Sequence, residues 1–209
     1  MKKTTIALLY LLALNACAQQ QEKFDPVRWK APYDLSLEGW GIERFAMPID
    51  FAPTIPFKGV EDIRFTPGWG NEQDPEYWSY AFLWYVEGTH RIQEEDIQKN
   101  LAAYFDGLVG RNIEKRSLPK DLVKETEAQF RKLPAAESGD LETFVGTVNM
   151  VDYMGKKPMV LQGTVHIRQC PDSDHTILFH QFSPQERTAP VWAKLNGLWE
   201  AFSCGAPTP

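Results

Sequence analysis

Three cysteines, four histidines and a scatter of carboxylates and hydroxyls are what this chain offers for chemistry. Cys170 and Cys204 are the two thiols of the folded part. Pairing them would close a loop of about 34 residues, which in the chain-entropy model stabilises by ~3 to 4 kcal/mol. Against the pairing, strand registers place Cys170 on a polar sheet face, while the last helix is expected on the opposite face; for it, Cys170 is at a hairpin tip that the chain could still reach. Neither Cys is tied to a base by any motif, so a thiol nucleophile is not indicated. His166, Cys170 and His175 share one face. However, His166 and Cys170 stand four strand residues apart, roughly 13 Å. Zinc ligands converge within about 2.3 Å of one point, so no metal site is expected. His180 falls on an apolar face and reads as a core histidine, and His90 reads as surface.

Asp152 lies at a strand end beside Tyr153, and Ser183 opens a turn. No nucleophile elbow, phosphate loop, dinucleotide-binding glycine pattern or zinc-protease helix accompanies them, and no cofactor motif is present. Gly68-Trp69-Gly70 is a turn with no basic residue or helix start behind it. A hydrolase on glycan or ester substrates would need Asp152, a histidine and Ser183 or a Glu brought within hydrogen-bond reach, because such sites are defined by geometry. The remaining candidate is a polar sheet face carrying Asn149, Thr164, His166, Arg168 and Gln181 with Phe179 as an apolar floor. Such a surface suits a sugar, a peptide or a partner protein. Its ordinary alternative is a solvated sheet face.

These residues depend on a framework built around Tyr77 to Val86, ten residues without charge, Gly or Pro, six of them aromatic. Aromatic content reads as strand, and the lack of polar alternation means both faces are covered. Trp78, Tyr80, Phe82, Trp84 and Val86 share one face; Ser79 and Ala81 on the other would let a helix lie close. Upstream, residues 24 to 58 carry five prolines and read as an extended wrap with a short strand near Ile42 to Ala46. Val60 to Phe65 reads as the next strand. Glu94 to Val109 repeats apolar residues at helical spacing, with acidic residues at its start and Gly110 at its end. Leu122 to Leu133 has the propensity of a helix, but Thr126, Ala128 and Phe130 alternate with charged residues, which favours an edge strand over 125 to 132 and leaves helix as the alternative. Pro190 to Phe202 reads as the final helix, on the apolar face of the sheet.

Thr143 to Tyr153, Met159 to Gln169 and His175 to Phe182 form a meander. Centring the first hairpin on Gly155 to Pro158 sets Asp152 opposite Leu161 and Val148 opposite Val165. Centring the second on Pro171 to Asp174 sets Val165 opposite His180 and Ile167 opposite Leu178. Both give the same partition of faces. The fold class expected is α+β: a single domain, an antiparallel sheet of five or more strands packed against two main helices.

The N-terminus is an address. Lys2 and Lys3 precede an apolar run, Ile6 to Leu14, too short to span a bilayer. The run ends in Leu14-Asn15-Ala16-Cys17, which resembles a bacterial lipobox. The resemblance implies removal of residues 1–16 and acylation of Cys17, with stable membrane attachment at ~0.8 kcal/mol per buried methylene. A plain secretory signal is the alternative. Residues 17–35 would be the acylated Cys and its tether, and 36–209 the domain, in the periplasm or at the cell surface. Ala18 leaves the choice between cell membrane and outer membrane open. The net charge of −6 and pI near 5.3 argue against nucleic acid as a partner.

Phe51-Ala52-Pro53, Gly59 to Phe65, Trp78 to Phe82 and Val191 through Cys204 together are similar to a family of uncharacterised bacterial lipoproteins. That resemblance implies localisation and brings no activity, cofactor or site residue with it. The reading is a lipid-anchored envelope protein that binds a partner protein, a glycan or a small ligand without chemistry. It expects an exposed polar-aromatic patch and no deep pocket lined by titratable groups. The envelope hydrolase is the competing reading. Cys17→Ser is predicted to release the protein into the soluble envelope fraction, checked by fractionation and immunoblot; retention in the membrane would count against the anchor.

Overall fold

The computed structural model describes residues 24–35, 37–137, 139–171 and 173–205. The signal segment, Cys17 and the first part of the expected tether, through position 23, lie outside them. The elements run β1 (Tyr33–Asp34), β2 (Gly41–Met47), β3 (Gly59–Phe65), β4 (Tyr80–Glu87), α1 (Glu94–Gly110), α2 (Ile113–Arg116), β5 (Glu127–Lys132), β6 (Glu142–Asp152), β7 (Lys157–Gln169), β8 (His175–Ser183), α3 (Pro190–Glu200) and β9 (Ser203–Cys204). Seven strands form one antiparallel sheet in the order β2-β3-β4-β8-β7-β6-β5, and β1 pairs with β9. The α+β architecture is as the residue pattern anticipates, with β4 near the centre and β5 at an edge.

The β4 side chains divide as their alternation requires. Phe82 and Trp84 point into a core under α1, with Trp78 beside them just ahead of the strand; all are buried. Ala81 and Leu83 point into a second core. Pairing begins at Tyr80, because Trp78 adopts φ 56°, outside the extended region. On α1, Ile97, Leu101, Tyr104, Phe105 and Val109 form the buried stripe. Asp96 accepts from the Gln93 backbone N–H at 2.9 Å, capping the start of the helix.

Three expectations are corrected. The β6–β7 register pairs Val148 with Leu161 and Asp152 with Lys157, four residues from the expected one. The turn sits at 153–156, with Lys156 at φ 53°. Pro158 belongs to β7, at an end where β8 does not pair and no donor is needed. An even shift leaves every side chain on its expected face. The β7–β8 register is the expected one.

The second correction concerns α3. Its stripe of Val191, Trp192, Leu195, Leu198 and Trp199 packs on Ala81, Leu83, Ile177 and Phe179, not on the face of Val148 and Leu161. The latter face is already occupied by α1, so the remaining apolar area for a second helix lies opposite. The sheet is therefore the middle of three layers.

The third correction is where the folded body begins. Tyr33 and Leu35 are buried ahead of position 36. The Tyr33 hydroxyl donates to Asp62 at 3.1 Å, and the Leu35 carbonyl accepts from Arg64 Nε at 3.1 Å.

With α3 on the polar face, the obstacle to a bridge disappears, and Cys170 and Cys204 form a disulfide. The bridge joins the end of β7 to β9 across a separation of 34 residues. Replacing both cysteines by Ser is predicted to lower unfolding free energy by about 3 to 4 kcal/mol, read from the urea midpoint at unchanged slope.

Candidate functional site

Thr164, His166, Arg168, Phe179 and Gln181 do come together, but beneath α3 and not as a solvent-facing patch. Thr164, His166, Phe179 and Gln181 are buried, while Arg168 is partly covered. Asn149 lies apart from them, half-buried in a shallow groove beside β5. The centre of the group is Asp140, which accepts from the Thr143 hydroxyl at 2.8 Å, Arg168 at 3.0 Å and the Trp199 indole at 3.1 Å. His166 Nδ1 lies 2.7 Å from the same carboxylate. His166 Nε2 faces Gln181 Oε1 at 3.3 Å, and the Gln181 amide donates to the Leu195 carbonyl at 2.8 Å. Burial works against the charge on Asp140, but the hydrogen bond and charge of His166, with Thr143 and Arg168, outweigh it and hold the carboxyl below its usual range.

The acid–imidazole pair in this seam resembles half of a catalytic triad, yet both ring nitrogens are engaged and no substrate can reach them. Glu137 brings a third metal-ligating group within 4.8 Å of Asp140 and His166. The Arg168 guanidinium, stacked 4.0 Å over the Trp199 ring, already supplies a positive charge to the other Asp140 oxygen. The seam is a clamp that docks α3.

Asp152 and Ser183, the hydrolase candidates, are not brought together. Asp152 is buried and accepts from the Tyr77 hydroxyl at 3.0 Å, the Trp78 indole at 2.8 Å and the backbone N–H groups of Met154 and Gly155 at 2.9 and 2.8 Å. Four donors satisfy an unpaired buried carboxylate. Ser183 Oγ is 2.8 Å from Ser79 Oγ and accepts from the Gln185 N–H. No histidine contacts either residue among those described.

What the residue pattern did not reveal is a cavity of about 410 Å³ between the C-terminal half of α1, α2 and the β2–β4 end of the sheet. Its size is ordinary for a small-molecule site. Sheet strands contribute Phe45, Ile63, Phe65 and Tyr80; the connection before β4 contributes Trp69 and Trp78; Tyr104 and Leu108 come from α1. Phe51 closes one side, because its carbonyl packs where a Cβ on Gly107 would collide. Phe45 is 37% exposed at the mouth, alongside Glu43, Arg111, Lys115 and Arg116. One sequence signal did point here: Trp69, in its Pro-Gly-Trp-Gly turn, is a Trp that core packing did not explain.

Asp152 positions one wall. Its bond to the Trp78 indole holds that residue in the left-handed region, a conformation costing on the order of 1 to 3 kcal/mol for a bulky side chain. The wall carries unsatisfied polar atoms. The Tyr80 hydroxyl and the Trp69 indole N–H are buried and have no hydrogen-bond partner among the described residues. Burial raises the pKa of Tyr80 and Tyr104 well above the usual tyrosine range, and that of Tyr153 to about 12.

Behind the cavity lies Glu61, fully buried. Burial pushes its carboxyl up to about 7, against hydrogen bonds from Trp84 and Tyr104. The Trp84 indole donates to it at 3.2 Å. Being closed off, Glu61 cannot serve as an acid toward a bound molecule, and Glu43 is the carboxylate that reaches the cavity. No protein-family model, curated protein or solved structure matches this chain.

Glu61 carries a pH signature. Its folded pKa is raised above the unfolded value of about 4.5, so its contribution is fully present below that value and is lost as pH rises to about 7. His180, buried and pushed down to about 3, acts in the opposite sense, its contribution being lost as pH falls below about 6.5. Glu61→Gln leaves the His180 contribution in place. Wild type is predicted to lose about 3 kcal/mol relative to this variant between about pH 4 and pH 8. Paired urea titrations across that range check it; parallel profiles would refute the protonated Glu61.

Proposed function

We propose that this protein is a lipid-anchored bacterial envelope protein that binds a small ligand in the aromatic cavity, without chemistry. The Tyr80 hydroxyl carries the reading. It is 3% exposed, lines the cavity and has no partner. An unsatisfied buried hydroxyl costs about 1 to 3 kcal/mol, which a purely structural tyrosine could avoid by being phenylalanine. The oxygen has essentially no open surface, so a ligand oxygen would reach and satisfy it only as the wall yields on binding.

The left-handed Trp78 beside it and the half-exposed Phe45 at the mouth belong to the same picture: strained and exposed aromatic groups gathered at one opening. Against catalysis at this place, the described residues lining the cavity include no histidine, serine or cysteine, and their carboxylate, Glu43, is exposed. Attachment through Cys17 would hold the cavity within a tether's length of the membrane. A small ligand is therefore preferred over the partner protein or glycan that a polar sheet face would have served.

The neutral dye N-phenylnaphthylamine tests the site. Its fluorescence is predicted to rise saturably with one dye per chain, and Leu108→Trp, which fills the cavity from α1, should abolish the rise while the far-UV spectrum stays unchanged. An undiminished signal in that variant would place binding elsewhere. Tyr80→Phe should leave the thermal midpoint equal or higher, because it removes an unpaired buried hydroxyl.

A further inference from the structure

We infer that the cavity's ligand is a planar organic anion, its ring system seated between the aromatic walls and a carboxylate-class group held at the mouth. The inference rests on the small-ligand reading above and adds to it the chemistry of both ends of the ligand.

The interior selects for a flat body. Trp69 and Phe65 lie 4.5 Å apart at 51°, Tyr80 stacks on Phe65 at 5.8 Å, and Tyr104 meets Phe51 edge-on at 5.3 Å. Space between rings at these attitudes offers both faces and edges, to which another ring is complementary. An aliphatic chain would fill the same space without that directional gain.

The unspent polar atoms inside are donors. An indole N–H only donates, and the Tyr80 hydroxyl has no acceptor within reach. They call for an oxygen acceptor on the ligand. They are too few for a sugar, most of whose hydroxyls would be buried unpaired.

The mouth supplies the opposite sign to the rest of the molecule. The whole chain carries a net charge of −6. Around the opening, Arg111, Lys115 and Arg116 face a single carboxylate, Glu43. Arg111 is shared with Asp50 at 3.5 Å. Among the described residues, Lys115 and Arg116 have no carboxylate within 4.0 Å. Arg116 lies 5.8 Å over the Tyr153 ring, and the charges of Arg116 and Arg111 act on the Tyr153 hydroxyl against those of Asp152 and Glu43. A local cationic opening on an acidic protein concentrates anions there.

The test is a displacement titration on the exported chain carrying Cys17→Ser, so that no acyl chain competes, with N-phenylnaphthylamine as reporter. Naphthoate should displace the dye at least about tenfold more tightly than the neutral naphthamide of the same shape. Added salt should narrow the gap. Lys115→Gln with Arg116→Gln, both exposed on α2, should erase the preference for naphthoate while naphthamide binds as before.

Equal affinity for the two compounds, or a preference untouched by the double variant, would overturn the anionic end while dye binding still upheld the cavity. Decanoate displacing the dye more tightly than naphthoate would overturn the planar body. Failure of naphthoate to displace bound dye would overturn the proposal as a whole. Absence of dye binding to the unmodified cavity would remove the small-ligand reading beneath it.

Discussion

Burial of β4 on both sides is the constraint from which the rest follows. Phe82, Leu83 and Ala81 are fully buried, with Trp84 and Trp78 beside them. Each large apolar side chain taken out of water contributes about 1.5 to 3 kcal/mol, so a strand of this composition demands cover on both faces. Among the described residues, two helices, α1 and α3, are long enough to provide it. Once α1 takes one face, α3 must take the other. The polar residues that alternation leaves on that second face then lose water and must find partners inside. The Asp140–His166–Gln181 seam is their answer, and it ends on α3 itself through Trp199 and the Leu195 carbonyl. What would be a solvated surface in a two-layer protein becomes a hydrogen-bonded lock in a three-layer one.

The cavity arises where the same packing runs out. α1 ends at Gly110 and the chain turns through the four residues of α2, so the β2–β4 end of the sheet is only partly roofed. Rings from the sheet, the 66–79 connection and α1 surround the gap without filling it. The gap persists because its walls are held from outside. Asp152 fixes Trp78 and Tyr77 from the β6–β7 turn, and Phe51 is held by its close approach to Gly107. The Tyr80 hydroxyl and Trp69 indole are left without partners there, in contrast to Asp140, both ring nitrogens of His166 and the Gln181 amide across the sheet. The two polar clusters therefore differ in whether their central side chains have found hydrogen-bond partners.

Much of the fold was legible from local pattern. Alternation assigned the faces of Val148, Val165, Ile167 and Leu178, and turn chemistry set the β7–β8 register. A four-residue error in the β6–β7 register did no harm to the faces, since a side chain returns to the same side every second residue. The candidate site was less legible. His166, Arg168 and Gln181 stand out as polar residues in strands, but their accessibility depends on a helix that follows them. Of the cavity only Trp69 gave a hint, because Tyr80 and Phe65 look like any other core aromatics.

The chain alone determined the long strands, the two main helices, the sidedness of each and the signature of its N-terminus, because these depend on residue spacing over a few positions. Tertiary structure decided which face each helix occupies, that Cys170 and Cys204 meet, and where the packing leaves room. Those outcomes come from competition between distant segments for the same apolar surface. Whether a tyrosine hydroxyl finds a partner is settled only when every neighbour is in place.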